Sequence, residues 1–315
     1  MKILVTGCAG FIGSHVAEAL LLRGDTVIGI DNINDYYDPA KKEKNLEILK
    51  KHKKFVFYKE DIRNYDNLKR IFIRENPDKV VHLAARAGVR ASIQNPLLYQ
   101  EVNIRGTLNL LELAKNSKAK SFVFASSSSV YGNQEKTPFS EDDDVSTPIS
   151  PYAATKRAGE LLCYTYHHIY NTSITCLRFF TVYGPRGRPD MAPYKFTKLI
   201  IEGKPVPRYG DGTTKRDYTY ITDIVKGVIA AIDKELSFEI INLGNNKPVM
   251  LNDFIRVIEE ATHRKAIIKE MPMQPGDVNI TYADIRKAQR LLGYQPETSI
   301  EEGMKKFVEW YEKDV

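Results

Sequence analysis

Short apolar runs alternate with longer stretches whose apolar residues recur at helical spacing through the first 180 residues. The alternation predicts strands over 3–6, 26–30, 55–58, 80–83, 122–125 and 174–178. Between them it predicts helices over 11–22, to about 51 (lysine-studded), 65–74, 96–115 and 151–170. Repeated strand–helix–strand units fold back into a parallel sheet with helices on both faces, so the expected fold class is α/β, doubly wound. Beyond Gly184 the pattern breaks up, because Pro185, Pro189, Pro193, Pro205 and Pro207 interrupt it. Short helical stretches follow over 194–202, 222–232, 251–261, 284–291 and 300–311. The expected division is a large domain over 1–180 and a smaller mixed α/β substrate-binding domain over 181–315, with the chain crossing back to the sheet.

Composition narrows the function classes. The chain has 315 residues, 43% apolar and 27% charged, which is ordinary for a soluble globular protein. The net charge of +6 comes without a basic stripe, so no nucleic-acid partner is expected. The lysines between Lys41 and Lys54 are interleaved with Glu43 and Glu47 and read as a solvated helix face. Cys8, Cys163 and Cys176 lack metal-ligand spacing, and His167 and His168 are adjacent and diverge on a helix, so no metal site is expected. The first residues enter a strand at once, leaving no room for a signal peptide, and no apolar run approaches the ~18 residues of a membrane span. A cytoplasmic protein without a membrane partner is expected.

Two stretches carry chemistry. Gly7, Gly10 and Gly13 join the first strand to the first helix, where glycines allow a tight turn and close approach of a pyrophosphate. The N–H groups of a helix that opens with Phe11, Ile12 and Gly13 suit an anion. Asp31, with Asn32 behind it, ends the second strand, where a carboxylate binds the adenosine ribose and disfavours a 2′-phosphate. A Rossmann-type domain binding NAD is expected. Asp61 and Ile62 after the third strand, and Leu83, Ala84 and Ala85 after the fourth, fall where further adenine and ribose contacts belong.

The second stretch runs from 121 to 156. An apolar strand ends in four serines, Ser126 to Ser129, and Tyr152 and Lys156 follow at i,i+4 spacing, on one helical face. An ammonium near a phenol favours the phenolate. Ser127, Tyr152 and Lys156 are therefore the candidate catalytic group, suited to taking a proton from a carbinol.

The glycine turn, the serine-ended strand and the Tyr152–Lys156 pair resemble the extended short-chain dehydrogenase/reductase superfamily across nearly the whole chain. Segments 87–96, 177–192 and 209–220, with Gln274-Pro-Gly-Asp277, make the sequence most similar to nucleotide-sugar epimerases of the UDP-glucuronate 4-epimerase type. The resemblance implies Tyr152 as base, Lys156 as its activator and ligand of the nicotinamide ribose, and Ser127 as the hydrogen-bond partner of the sugar hydroxyl. It implies Asn103 and Phe179 beside the nicotinamide half of NAD. It places Arg216 at the UDP pyrophosphate, Arg90 and Arg186 on the anionic sugar nucleotide, Asp277 at the uridine ribose and Pro207, Arg208 and Tyr209 near the uracil. It also implies a homodimer paired through the helices at 96–115 and 151–170.

Positions 128 and 129 separate the reactions within that group. Similar dehydratases carry Asp-Glu there and similar decarboxylases a Glu, whereas this chain has Ser128 and Ser129. Two neutral hydroxyls can hydrogen-bond a substrate carboxylate without repelling it. Thr181 and Gln274 replace the Asn and Arg of galactose-type 4-epimerases, which argues against UDP-glucose as the main substrate. The expected reaction is reversible inversion at carbon 4 of UDP-glucuronate, giving UDP-galacturonate, through a 4-keto sugar and bound NAD.

Overall fold

The computed structural model describes every residue except 118, 274–277 and 315. Seven parallel strands form the central sheet: β1 (Lys2–Thr6), β2 (Thr26–Asp31), β3 (Phe55–Lys59), β4 (Lys79–His82), β5 (Ser121–Ser127), β6 (Ser173–Phe179) and, far along the chain, Phe238–Leu243. Their spatial order is β3-β2-β1-β4-β5-β6, with the last strand beside β6. Order reverses between β1 and β4, which opens a crevice at the carboxyl ends of those strands.

Alternation along each strand explains why the sheet is covered on both faces. Ile3, Val5, Val81 and Val123 join one apolar cluster. Their neighbours Leu4, Val80, Phe122 and Phe124 join the other. Helix α1 (Phe11–Leu22) lies on the first face and α3 (Tyr65–Glu75) on the second, with α2 (Pro39–Lys50) beside β3.

The stretch predicted as one helix over 96–115 is three pieces. After the short helices α4 (Val89–Gln94) and α5 (Pro96–Tyr99) comes a wide π turn over Gln100–Arg105, and then α6 (Gly106–Lys115). The π turn lets Asn103 turn its amide inward, where Oδ1 accepts from Arg86 N at 2.8 Å and Nδ2 donates to Arg86 O at 2.9 Å and Thr155 Oγ1 at 3.0 Å. Inserted turns of this kind recur at functional sites. Helix α7 (Pro151–Tyr170) begins at a Ser150 cap that accepts from Ala153 N, with Pro151 at the first position, and ends at Asn171 in the left-handed region.

The remaining elements complete the smaller region. Strand β7 (Thr181–Tyr183) precedes α8 (Ala192–Ile201), β8 (Pro205–Tyr209), β9 (Lys215–Tyr220) and α9 (Ile221–Lys234). The strand Phe238–Leu243, β10, returns to the main sheet, and α9 packs on α1. Strand β11 (Pro248–Met250), α10 (Leu251–Thr262), β12 (Ile267–Met271), α11 (Arg286–Leu292) and α12 (Ile300–Asp314) follow. β11, β9 and β7 make one small sheet and β12 pairs with β8 in another. None of β7 to β12 is evident from apolar periodicity, since β8 carries two prolines and β12 is mostly exposed.

Asp217 on β9 knots these parts together. Its carboxylate accepts from the backbone N–H of Asn245 at 2.7 Å, Asn246 at 3.0 Å and Ala283 at 3.0 Å. Burial outweighs these bonds and lifts its pKa to about 6.

Candidate active site

A cleft of about 390 Å³ follows the crevice between β1 and β4 and runs on past the ends of β5 and β6. That size suits a small-molecule or cofactor site. One end is lined by Gly7, Gly10, Phe11, Ile12, Gly13, Asp31, Asn32, Asp61, Ile62, Leu83, Ala84 and Ala85. The sheet's register brings these together although the sequence spreads them over nearly eighty positions.

The glycines there are demanded by space. Gly7 has φ +71, and a Cβ on it would lie 2.8 Å from Ala84 N; one on Gly13 would lie 2.0 Å from Gly7 O. Gly10 caps α1 with no side-chain bond. The amides of Phe11, Ile12 and Gly13 therefore begin the helix without an intrahelical acceptor, at the wall of the cleft. Asp31 is buried, with Oδ2 accepting from Ala9 N at 3.1 Å and Oδ1 from Ile33 N at 2.9 Å. Burial raises its pKa, against those bonds and the charge of Lys42. Burial would also raise Asp61, but Arg63 and the Asn32 amide hold it at about 2. Donor amides at a helix start, a carboxylate at the end of the second strand and an apolar slot fit a dinucleotide.

At the other end stand the reactive groups. Three residues on one face of α7 meet three consecutive residues of β5. The Tyr152 phenol lies next to the Ser127 hydroxyl, which lowers its pKa. Lys156 Nζ donates to Ala125 O at 2.6 Å. Glu160 Oε1 accepts from Ser126 Oγ at 2.6 Å. The Ser127 hydroxyl also donates to Ser129 Oγ at 3.1 Å and accepts from Ser129 N at 3.2 Å.

Charge at this end differs from the simple Tyr–Lys picture. Burial pushes the Tyr152 phenol up, while the Ser127 bond and the nearby Arg188 guanidinium pull it down. Burial lowers the Lys156 ammonium to about 8, against the fields of Cys163 and Glu160. Arg188 thus lowers the Tyr152 phenol from the cleft side, a cation additional to the one at Lys156.

Glu160 anchors the face from behind. Its carboxylate is fully buried and takes Arg178 Nε at 2.8 Å, Arg178 Nη2 at 2.9 Å and Arg157 Nη1 at 3.0 Å. Replacing Arg178 by Met leaves that carboxylate short of its main partner, and a loss of about 3–5 kcal/mol in unfolding free energy is expected. Chemical denaturation checks this.

The other candidates separate clearly. Phe179, Ser128, Ser129 and Thr181 line the cleft. Arg216 lines an adjoining hollow with Ser128, Ser129 and Thr181. Asn103 stands behind the wall, holding both backbone groups of Arg86, and does not line the cleft. Arg186, at φ +62, turns away to α1, with Nη2 2.6 Å from Glu18 Oε2 and Nε 3.2 Å from His15 Nε2. Arg90 lies over the ring of Tyr209 at 4.8 Å, and Arg208 pairs with Glu270 at 2.6 Å. Pro207 is in β8 beside them. Gln274 and Asp277 lie outside the described residues.

Sequence reasoning overlooked the wall residues Tyr36, Lys42 and Arg86, and left Arg188 balanced between a binding role and a surface ion pair. Lys42 departs from the solvated face expected of its helix. It is buried and donates to Asn34 O at 2.7 Å and Oδ1 at 2.9 Å. Nothing in helical spacing distinguishes it from its solvated neighbours.

Comparison with known proteins agrees with this geometry. A family model described as GDP-mannose 4,6 dehydratase matches residues 4–307. A UDP-glucuronate 4-epimerase of Thermodesulfobacterium geofontis is 52% identical over 313 residues, covering 99% of this chain and 96% of the relative. A crystal structure of Bacillus cereus UDP-glucuronic acid 4-epimerase with UDP-glucuronic acid and NAD superposes with a TM-score of 0.95 at 40% identity, covering all of both chains. The UDP-glucose 4-epimerase of Thermotoga maritima with UDP-glucose gives 0.91 at 33% identity, over 99% of each. The chain belongs to the extended short-chain dehydrogenase/reductase superfamily, in the family described by the GDP-mannose 4,6 dehydratase model.

Proposed function

We propose that the protein is an NAD-dependent isomerase that interconverts UDP-glucuronate and UDP-galacturonate by inversion at carbon 4. The observation that carries the reading is the end of β5. A base, Tyr152, stands there with a guanidinium, Arg188, and the hydroxyls of Ser128 and Ser129 in one cleft, with no carboxyl group at 128 or 129.

Gly7, Gly10, Gly13, Asp31, Tyr152 and Lys156 would hold NAD, which would supply the reversible oxidation at carbon 4. Tyr152, as phenolate, takes the proton of the 4-hydroxyl while Ser127 holds that oxygen in place. The same phenol returns the proton after the 4-keto ring has turned over. Ser128, Ser129 and Arg188 grip the carboxylate on carbon 5. A 4-keto uronate is a β-keto acid, and it loses carbon dioxide when its C–CO₂ bond stands across the plane of the ketone. Holding the carboxylate in another orientation suppresses that loss. Arg188 replaces Arg186 as the candidate for the anionic sugar, because Arg186 is occupied at α1.

Comparing initial rates with UDP-glucuronate, UDP-glucose and UDP-N-acetylglucosamine tests the reading. UDP-glucuronate should have the highest kcat/KM; a neutral sugar ahead of it would overturn the assignment.

The reading includes a cytoplasmic homodimer. Its support is an exposed apolar face: Leu97 on α5, Leu108 on α6, and Leu161 and Tyr164 on α7. No described helix is long and apolar enough to cross a membrane. Light scattering should give twice the chain mass, and Leu97→Glu with Leu161→Glu should halve it. A wild-type mass of one chain would contradict the dimer.

A further inference from the structure

Two guanidinium groups converge on Tyr36, in the loop that starts at Asp31. Arg86, from the segment after β4, has its Cζ 5.5 Å from the ring centroid. Arg188, from the segment after β7, has its Cζ at 5.3 Å and its Nη2 3.4 Å from the Tyr36 oxygen. Cations at such distances are attracted to the face of a tyrosine ring.

The ring is itself held. Its hydroxyl donates to Ala87 O at 2.6 Å, an oxygen that also accepts from Tyr99 at 2.6 Å. Its backbone N–H donates to Asn34 Oδ1 at 3.1 Å, and Asn34 is fastened in turn by Lys42. Gly88 has φ +103, and a Cβ there would lie 2.7 Å from the Tyr36 oxygen and 3.8 Å from Arg188 Nη2. The backbone thus makes room for this one arrangement of phenol and guanidinium.

Arg188 has a competing hold. Asp190, which is well exposed, takes its Nε at 3.0 Å and its Nη2 at 2.5 Å. Asp190 anchors the guanidinium from the rim, and Tyr36 fixes it from within the cleft wall. The two N–H groups on Nη1 are not used in either hold.

We propose that Tyr36 is a positioning residue for Arg188, and through it sets the preference for an anionic over a neutral sugar. The proposal rests on the carboxylate-gripping role given to Arg188 above. Without the ring, Asp190 retains the guanidinium at the rim and the substrate carboxylate meets only the serine hydroxyls. A neutral sugar has no carboxylate and loses nothing.

The test uses the NAD-loaded protein and titration calorimetry with UDP-glucuronate and UDP-glucose. Tyr36→Leu should weaken UDP-glucuronate about tenfold, the scale of losing the aromatic face that holds a partly desolvated guanidinium. UDP-glucose affinity and NAD content should stay at wild-type values. Tyr36→Phe, which keeps the ring, should keep most of the selectivity and serves if the leucine variant folds poorly. In an Arg188→Met background, Tyr36→Leu should cause no further loss, as expected of residues acting through one contact. Parallel weakening of both sugars, or an additive loss in that background, would overturn the proposal. A wild-type protein that does not prefer UDP-glucuronate defeats the substrate reading itself, and this shows before any variant is made.

Discussion

Replacing Tyr152 by Phe should lower kcat for the epimerisation by roughly a thousandfold or more, within the 10²–10⁴ range attributed to a positioned acid–base group. The ring keeps its packing against Tyr99, 6.2 Å between centroids, so the fold and the bound NAD should survive. The same group sets the pH dependence. Burial raises the phenol, and the Ser127 bond and Arg188 lower it. Since the active form is the phenolate, activity should climb with pH on the acid side of the profile. Removing the cation in Arg188→Met raises the phenol further and should move that limb to higher pH. A variant at Tyr152 with near-normal rate, or a limb that stays in place in Arg188→Met, would show that the base lies elsewhere.

Converting Ser129 to Glu should be almost as damaging, and selectively so. It sets a carboxyl group beside the place assigned to the uronate carboxylate, in contact with Ser127, whose hydroxyl now bonds Ser129 Oγ at 3.1 Å. Two like charges about 4–5 Å apart at an effective dielectric of 20 repel by ~3–4 kcal/mol, which predicts binding of UDP-glucuronate weaker by a hundredfold or more. UDP-glucose carries no such charge and should bind as to the wild type. Competition titrations with the two nucleotides check this. Equal weakening of both would place the carboxylate away from the serine end.

Much of this site is legible in the chain because its parts are local. The glycine turn joins one strand to one helix, Asp31 ends one strand and the Tyr152–Lys156 pair lies within one helix, so local spacing describes each of them. The seven-stranded sheet follows from the apolar runs for its first six strands. The seventh, β10, is separated from β6 by the whole of β7 to α9, and only the three-dimensional pairing shows that it closes the edge. Arg186 and Arg188 show a second limit. They are two positions apart in one loop, and chemistry cannot rank them. Arg186 sits at a left-handed backbone position that directs it to Glu18, while Arg188 meets Tyr36 and the neighbourhood of Tyr152. Asn103 shows a third, since its inward turn depends on a π insertion that interrupts an otherwise helical pattern. Lys42 and Tyr36 are hidden for a similar reason. A buried lysine and a loop tyrosine acquire meaning from partners contributed by distant segments.

The most direct measurement of the central claim follows UDP-glucuronate by proton NMR with the purified protein and no added NAD. Signals of UDP-galacturonate should grow to equilibrium, with no UDP-pentose and no carbon dioxide released, showing inversion at carbon 4 by a protein that retains its cofactor. A UDP-pentose product would mean that Ser128, Ser129 and Arg188 do not restrain the carboxylate. No conversion, even after NAD is supplied, would contradict the assignment of UDP-glucuronate as the substrate.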